Sequence, residues 1–469
     1  MNLPVKKLLL TYYGDDFTGS TDVMESLALN GLPTALFLNP PTPQEIDGFR
    51  LKKNISGTEE NKLLAYGVAG VSRSYTVAQM DDHLPPIFDQ ISKTPSQFFQ
   101  YKVCSTFDSS PEIGSIGHAA EIASKYFPSD KIPLLIGAPA LNRFSVFGNL
   151  FARVGDVTYR LDRHPTMSKH PVTPMHESDL RIHLSHQTSR KVHLLDLFSL
   201  EQDYDHLTKQ FAALPLQKGD FVLFDIFNQR HLMLAGNLIY ESKSKDQTQL
   251  LVGSSGINYA LTGYLQARGI LTKPAAPSSP GKVDQLIVMA GSAAPTTKKQ
   301  IDWVISKGFK PIRIDTTRLV EQESAGLEMG RVKTEALDAI QEGNNVVIFS
   351  AFGPDDPIIK ATREKIQKSS SKKGTGELIA SRQGRVLKEL LLETGMRRTV
   401  VAGGDTSGYI ARELGIYALE TRMPIAPGAP LCTAHSDHKQ FDGMEISLKG
   451  GQNGKEDYFE SILNGEPIT

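Results

Sequence analysis

The sequence is short of several things at once, and each shortage removes a class of function. Two cysteines, Cys104 and Cys432, stand far apart in 469 residues. They cannot build a disulfide framework, and they suit a reducing compartment. Neither sits in a metal-ligand spacing, so no protein-built metal site is expected. Charge of either sign is not in excess: 51 Lys+Arg face 52 Asp+Glu. That balance leaves no electrostatic footprint for nucleic acid or for an anionic membrane surface. No apolar run approaches the ~18 residues of a membrane span. The N-terminal MNLPVKKLLLTYYGDD reaches Asp15 and Asp16 too early for a secretory leader, and a cytoplasmic protein is expected. GxxxxGK[ST] and GxGxxG are both absent, which excludes a P-loop and a dinucleotide-binding Rossmann fingerprint.

What the sequence does have is alternation. Its length exceeds what one core organises, so two domains are expected. Leu8 to Tyr13 reads as a buried strand, Gly14 to Gly19 as a turn-rich loop, Ser20 to Asn30 as a helix ended by Gly31, and Thr34 to Leu38 as the next strand. That is a βαβ unit. Further strands are expected over 65–71, 98–105, 132–137, 191–197, 221–227 and 250–253, most of them separated by helical patterns. Residues 271–282, rich in Pro, Ser and Gly, read as a connector. A second series follows, with strands near 286–290, 310–314, 346–350, 399–402, 417–419 and 444–448. The fold class is therefore α/β: a domain over 1–270 and another over 283–469, each with a mainly parallel sheet flanked by helices. Such sheets bind ligands at the carboxyl ends of their strands. The run Lys368 to Gly374 reads as a mobile loop, and there is no internal repeat.

The loops after the strands hold the candidates. Asp15, Asp16 and Thr18 lie in GDDFTGSTD, where paired aspartates can hold substrate hydroxyls or accept a proton. Helix capping accounts for Ser20 to Asp22, with Ser20 or Thr21 as the cap. It does not account for two adjacent carboxylates after an apolar strand, whose repulsion calls for a partner. Lys102, Ser105, Thr106 and Asp108 follow another strand, and an ordinary Ser-rich turn is the plain alternative there. Arg143, Arg163, His164 and His176 are cations enough to receive an acidic ligand. His176-Glu177 matches no strong metal motif, and Ser178 before Asp179 suits a helix cap. In the second domain Gly291-Ser292, Gly403-Gly404-Asp405-Thr406 and Gly450-Gly451 join strands to helical or turn segments. Small residues there let backbone N–H groups approach phosphate oxygens, although tight turns need glycine in any case.

GDDFTGSTD, KVCST, GSAAPTTKKQI, AGGDTSGYIARELGI, IAPGAPLC and KGGQNG occur in this order, and together they resemble the four-carbon acid sugar kinases. That family includes kinases of 3-oxo-tetronate, threonate and erythronate, and related kinases of branched acids such as 3-oxo-isoapionate. The resemblance implies an acid-sugar-binding first domain and a second domain that binds ATP, with Mg2+ as the phosphate counter-ion. It implies that Asp15, Asp16 and Thr18 form one sugar loop and Lys102, Ser105 and Thr106 another. Ser292, Gly403, Gly404, Asp405, Thr406 and Gly451 would contact the nucleotide. Where the family usually continues Ser-Thr-Leu-Arg-Gly, this chain has Ser105-Thr106-Phe107-Asp108-Ser109. A cation has become Asp108. The acid end of the substrate is then expected to rest on Lys102 and Arg163, and a 3-oxo acid is expected before threonate or erythronate.

The expected chemistry is transfer of the γ-phosphoryl group of ATP to a terminal hydroxyl of a small acid sugar, with Asp15 or Asp16 orienting or deprotonating it. A homodimer is left open. A phosphatase with an aspartate nucleophile is the rival enzyme, weakened by the lack of Asp-x-Asp alternation. A sugar-acid sensor that binds without turnover is the rival binding protein.

Overall fold

A computed structural model describes residues 8–466 apart from 59, 171, 245 and 368–374. The run expected to form a mobile loop, 368–374, lies outside the described residues. The chain divides into two compact units between Ala275 and Ala276. Each is α/β with a largely parallel sheet. No helix among the described residues is long and apolar enough to cross a membrane.

The first unit contains β1 (Leu8–Gly14), β2 (Thr34–Phe37), β3 (Ala65–Ala69), β4 (Ser96–Lys102), β5 (Lys131–Leu135), β6 (Arg143–Val146), β7 (Asn149–Val154), β8 (Val157–Arg160), β9 (Val192–Leu195), β10 (Asp220–Phe224) and β11 (Gln249–Gly253). Eight of these run in the order β2-β3-β1-β4-β11-β5-β10-β9, and every pairing among them is parallel. Unbroken apolar runs such as Leu9-Leu10 in β1 and Phe98-Phe99 in β4 are buried on both faces, as a parallel sheet between helix layers requires. The register decides how tightly the layers pack. Tyr12 pairs with Gly67 of β3, and a Cβ added to Gly67 would overlap the Tyr12 ring. That ring can lie flat on the neighbouring strand because the strand offers no side chain there.

Strands β6, β7 and β8 form a separate antiparallel sheet that the sequence pattern did not announce. Its first hairpin turns through Phe147 and Gly148, both with positive φ (51° and 79°). A two-residue turn of this hand normally announces itself with Asn-Gly or Asp-Gly. Here Asp225, from the loop after β10, supplies the missing support: its carboxylate accepts the backbone N–H of Phe147 at 2.5 Å and of Gly148 at 3.0 Å.

The second unit contains β12 (Ile287–Ala290), β13 (Lys310–Arg313), β14 (Val346–Phe349), β15 (Arg398–Ala402), β16 (Ile416–Ala426), β17 (Ala429–Ser436) and β18 (Glu445–Lys449). They run in the order β13-β14-β12-β15-β18-β17-β16. The strand expected near 417–419 is in fact 11 residues long, and it turns through Pro427 and Gly428 (φ 71°) into β17, its antiparallel partner. IAPGAPLC is thus a hairpin corner. Its Pro-Gly turn marks the end of one strand and the start of a second.

Replacing Gly67 by Ala forces either the Tyr12 ring or β3 to move. The overpacking should cost about 1–3 kcal/mol, read as a lower Tm and a lower denaturant midpoint with an unchanged slope. An unchanged Tm would show that the ring has somewhere else to go.

Candidate active site

The register of β1 brings the site of the first unit together. Gly14, its last residue, pairs with Ala69 of β3 on one side and with Lys102 of β4 on the other, and Lys102 pairs with Gly253 of β11. The loops leaving β1, β3, β4 and β11 therefore start side by side at the carboxyl edge of the sheet. They carry Asp15 and Asp16, Arg73, Cys104 to Asp108, and Ser254 and Ser255. Backbone bonds tie them: Asp15 N–H donates to the Lys102 carbonyl at 2.9 Å, and Arg73 N–H donates to the Asp15 carbonyl at 3.0 Å.

The two aspartates play different parts. Asp16 is the helix cap, with extended backbone (φ −142°, ψ 162°), and the helix runs Phe17–Leu29. This corrects the expectation of a cap at Ser20 or Thr21. The helix starts a turn earlier because Asp16 Oδ1 accepts the Gly19 N–H at 3.0 Å, and Ser20 instead bonds back to the Asp16 carbonyl at 2.6 Å. The other oxygen, Oδ2, receives Arg73 Nη2 at 2.9 Å. Both oxygens of Asp16 are thus engaged. Asp15 is only 2% exposed, and its Oδ1 has no hydrogen-bond partner among the described residues. Burial, reinforced by the negative charge of Asp16, pushes its carboxyl up to about 7 against the pull of Arg73 and Lys102.

Arg73 is the residue that the sequence reading missed. It reaches Asp16, and through Nη1 it also reaches Asp108 Oδ2 at 3.5 Å. Nothing local marks it, since VSRSYT reads as a loop and its partners lie in two other loops. Asp22 was set aside as a first-turn residue, but with the helix starting at Phe17 it falls a turn deeper. Burial raises its carboxyl, with Lys102 and the Ser255 hydroxyl beside it working the other way. Asp108 accepts a short hydrogen bond from Thr106 Oγ1, which also contacts Cys104 Sγ at 3.0 Å. Phe107 takes positive φ (56°) in this loop, and its buried ring packs edge-on to His183. Ser105 and Thr18 keep part of their surface exposed at the same edge.

Of the four candidate cations, Arg143 and His164 come near, and Arg163 and His176 do not. Arg143 is half-buried, lies in the field of the Asp108 carboxylate, and has a buried Nε with no partner among the described residues. Burial lowers its affinity for a proton. His164 lies within the field of Arg143, and burial together with that charge favours its neutral form. Its Nδ1 accepts the N–H groups of Thr166 and Met167 at 3.2 and 3.1 Å, which leaves Nε2 as the end that carries the proton. Arg163 departs from expectation: its side chain is 77% exposed and its ion pair is with Asp162 at 4.0 Å. It sits in a 3-10 turn whose buried member is Leu161, so the guanidinium is turned outward, to the surface. Among the described residues His176 makes no hydrogen bond or ion pair with that cluster, and Asp179, not Ser178, caps the helix Leu180–Ser185.

In the second unit the ladder does the same work. Ala290, Phe349, Ala402 and Lys449 end adjacent parallel strands, so the turns at Gly291-Ser292, Gly403-Gly404 and Gly450-Gly451 meet. They are held by Gly291 and Ser292 N–H to the Ala402 carbonyl at 2.8 and 3.1 Å, and by Gly403 N–H to the Lys449 carbonyl at 2.8 Å. Gly403 has φ 145°, and a Cβ on Gly451 would overlap Ser292 Oγ. A side chain at either place would fill the space over these backbones. Behind them, Thr297 donates to the Gly451 carbonyl at 2.9 Å and receives the buried Lys449 Nζ at 3.4 Å. Burial pulls Lys449 down to about 7. Asp405 and Thr406 lie in the first turn of the helix Gly404–Glu413.

Two family models cover most of the chain: a sugar-binding N-terminal domain over residues 10–261 and a nucleotide-binding C-terminal domain over 287–459. The chain is 42% identical to a 3-oxo-isoapionate kinase of Paraburkholderia graminis, over 98% of this chain and 94% of that one. It is 30% identical to a 3-oxo-tetronate kinase of Cupriavidus necator, over 97% and 96%. Among solved structures, a putative tRNA synthase from Salmonella typhimurium superposes with a TM-score of 0.74 at 22% identity, covering 96% of this chain and 98% of its own. A Haemophilus influenzae protein follows at 0.69 and 23%, covering 96% and 98%. These two likenesses speak for the fold alone.

The raised carboxyl of Asp15 has a measurable consequence. A carboxyl whose value rises from 3.8 to about 7 on folding opposes the folded state once it must ionise. The cost is absent below the unfolded value, grows as pH climbs through this window, and is complete above about 7. Asp15→Asn stays neutral throughout. Its advantage over wild type in unfolding free energy should therefore widen as pH is raised across that window in a denaturant series. Parallel stability curves would show that Asp15 ionises freely in the fold.

Proposed function

The chain belongs to the family of four-carbon acid sugar kinases, and from that premise we propose that it transfers the γ-phosphoryl group of ATP to a terminal hydroxyl of a small 3-oxo acid sugar. The observation that carries this reading is the contrast between the two aspartates. Asp16 is committed to the helix cap and to Arg73. Asp15 keeps a free oxygen and a proton affinity near neutrality, the property a general base needs at cellular pH. In this mechanism Asp15 accepts the proton as the sugar hydroxyl attacks the γ-phosphorus, and Asp16 holds Arg73 and the loop in place. Lys102, Thr18 and Ser105 orient the sugar hydroxyls. Thr106 and Asp108 shape the same wall.

The carboxylate end of the substrate is assigned to Arg143, whose Nε is buried and unpaired, with the His164 ring beside it. Arg73 is less suited to that task because its charge is shared between Asp16 and Asp108. The first domain, 1–270, is taken as the acid-sugar domain and 283–469 as the nucleotide domain, joined by 271–282. Ser292, Gly403, Gly404, Asp405, Thr406 and Gly451 line the nucleotide's phosphates, where main-chain N–H groups and a helix N-terminus favour anions. Mg2+, when bound with the nucleotide, neutralises phosphate charge. Among the described residues no group of three or more His, Cys, Asp or Glu could hold a metal by itself, so the ion would enter on the phosphates. The similarity at 42% identity puts 3-oxo-isoapionate first and 3-oxo-tetronate second, ahead of D-threonate and D-erythronate. A cytoplasmic location fits the two free thiols.

ADP release measured across these four acids tests the reading. Asp15→Asn should lower kcat by about 10²–10⁴-fold with little change in KM for the sugar acid. Arg143→Met should raise that KM about tenfold or more, the loss expected for a hydrogen bond to a charged group. Turnover of Asp15→Asn near wild type would sink the base assignment. Acid-sugar binding with no ADP from any of the four would favour a sensor.

A further inference from the structure

The helix Thr375–Thr394 carries a polar side chain that the acid-sugar chemistry does not use. Gln383 is fully buried, yet neither Oε1 nor Nε2 of its amide has a hydrogen-bond partner among the described residues. Both ends of an amide left unpaired in a protein interior are a standing cost to stability. A methionine would fill the same volume without that cost. Position supplies the reason to keep it. A Cβ placed on Gly291 would come 3.0 Å from Gln383 Oε1 and would collide with Thr406 Oγ1. Gly291 begins the turn after β12, and Thr406 lies in the first turn of the helix Gly404–Glu413. The amide oxygen therefore lies against the first of the three phosphate-suited segments at Gly291, where Thr406 of the second also comes in. The neighbouring residue explains how it gets there. A Cβ on Gly384 would stand 2.9 Å from Glu413 Cγ and 3.3 Å from Ile410 Cα, so the bare glycine lets the two helices approach closely.

We propose that Gln383 is a nucleotide-contacting residue. Its Nε2–H donates to a phosphate oxygen seated against Gly291 and Thr406, and its Oε1 accepts a hydroxyl proton, from the ribose or from Thr406. Glutamine offers one donor end and one acceptor end, which suits the junction of phosphate and ribose. The inference rests on the phosphoryl-transfer reading and adds to it a residue outside the glycine-rich turns, some twenty positions before the nearest of them.

The test is titration of MgADP into the full chain by calorimetry, with wild type, Gln383→Met and Gln383→Glu. Gln383→Met should bind MgADP about tenfold more weakly or worse, raise the KM for ATP by the same factor, leave the KM for the acid sugar unchanged, and melt at or above the wild-type Tm. Gln383→Glu should bind MgADP more weakly still, and its affinity should fall as pH rises and the carboxyl charges beside the phosphates. Affinity for Gln383→Met within about twofold of wild type overturns the assignment while leaving the kinase reading intact. So does a loss that comes with a lowered Tm and no pH dependence in Gln383→Glu, since that pattern marks a packing role. Wild type that fails to bind MgADP overturns the kinase reading and this inference together.

Discussion

The pairing of Gly14 between Ala69 and Lys102 is the constraint on which the first unit's chemistry depends. It is a backbone matter, set by the parallel ladder and by the fit of Tyr12 onto Gly67. Its consequence is electrostatic. Four carboxylates, from Asp15, Asp16, Asp22 and Asp108, are drawn to one edge of a sheet, and Arg73, Lys102 and Arg143 come with them. Charges gathered in a low-dielectric place must be paired, protonated or offered to a ligand. Asp16 and Asp108 are paired through Arg73. Asp15 is poised at the protonation step. Arg143 keeps a nitrogen for something else.

The same ladder logic organises the second unit with the sign reversed. There the strand ends converge on glycines and N–H groups in place of carboxylates, and Lys449 is buried behind the turn, where its Nζ meets the Thr297 hydroxyl and the rings of Tyr458 and Phe459. One edge gathers carboxylates and their cations, the other backbone N–H groups and glycines. Both arise from strands that end level with one another, so one architectural device produces two contrasting surroundings.

How much of this was legible depended on whether the signal was local. The acidic loop after β1 is a local signal, as are the glycine-rich turns, and both lie where the sequence pattern put them. Capping was misjudged by one turn because Ser20, Thr21 and Asp16 all satisfy a cap by composition. Only the bond from the Gly19 N–H to Asp16 Oδ1 decides between them. The antiparallel hairpin of β6 and β7 escaped because its turn residues, Phe147 and Gly148, are held in their unusual conformation by Asp225, far along the chain. Arg163 sat among polar residues and looked like a ligand. Its neighbour Leu161 is the one that packs inward, so the cation faces out.

The sequence by itself determined the fold class, the family and the short polar segments that stand at the strand ends, because alternation of apolar strands with helices and runs such as GDDFTGSTD are properties of adjacent residues. Only the tertiary structure decided which charges meet. Arg73 compensates Asp16 and Asp108 from a loop some sixty residues from one and thirty-five from the other, and Gln383 is set against Gly291 by a helix contact through Gly384. Such pairings depend on strand order and register, which no window of sequence contains. They are also what separates Asp15 from Asp16, two identical side chains of which one has both oxygens hydrogen-bonded and the other does not.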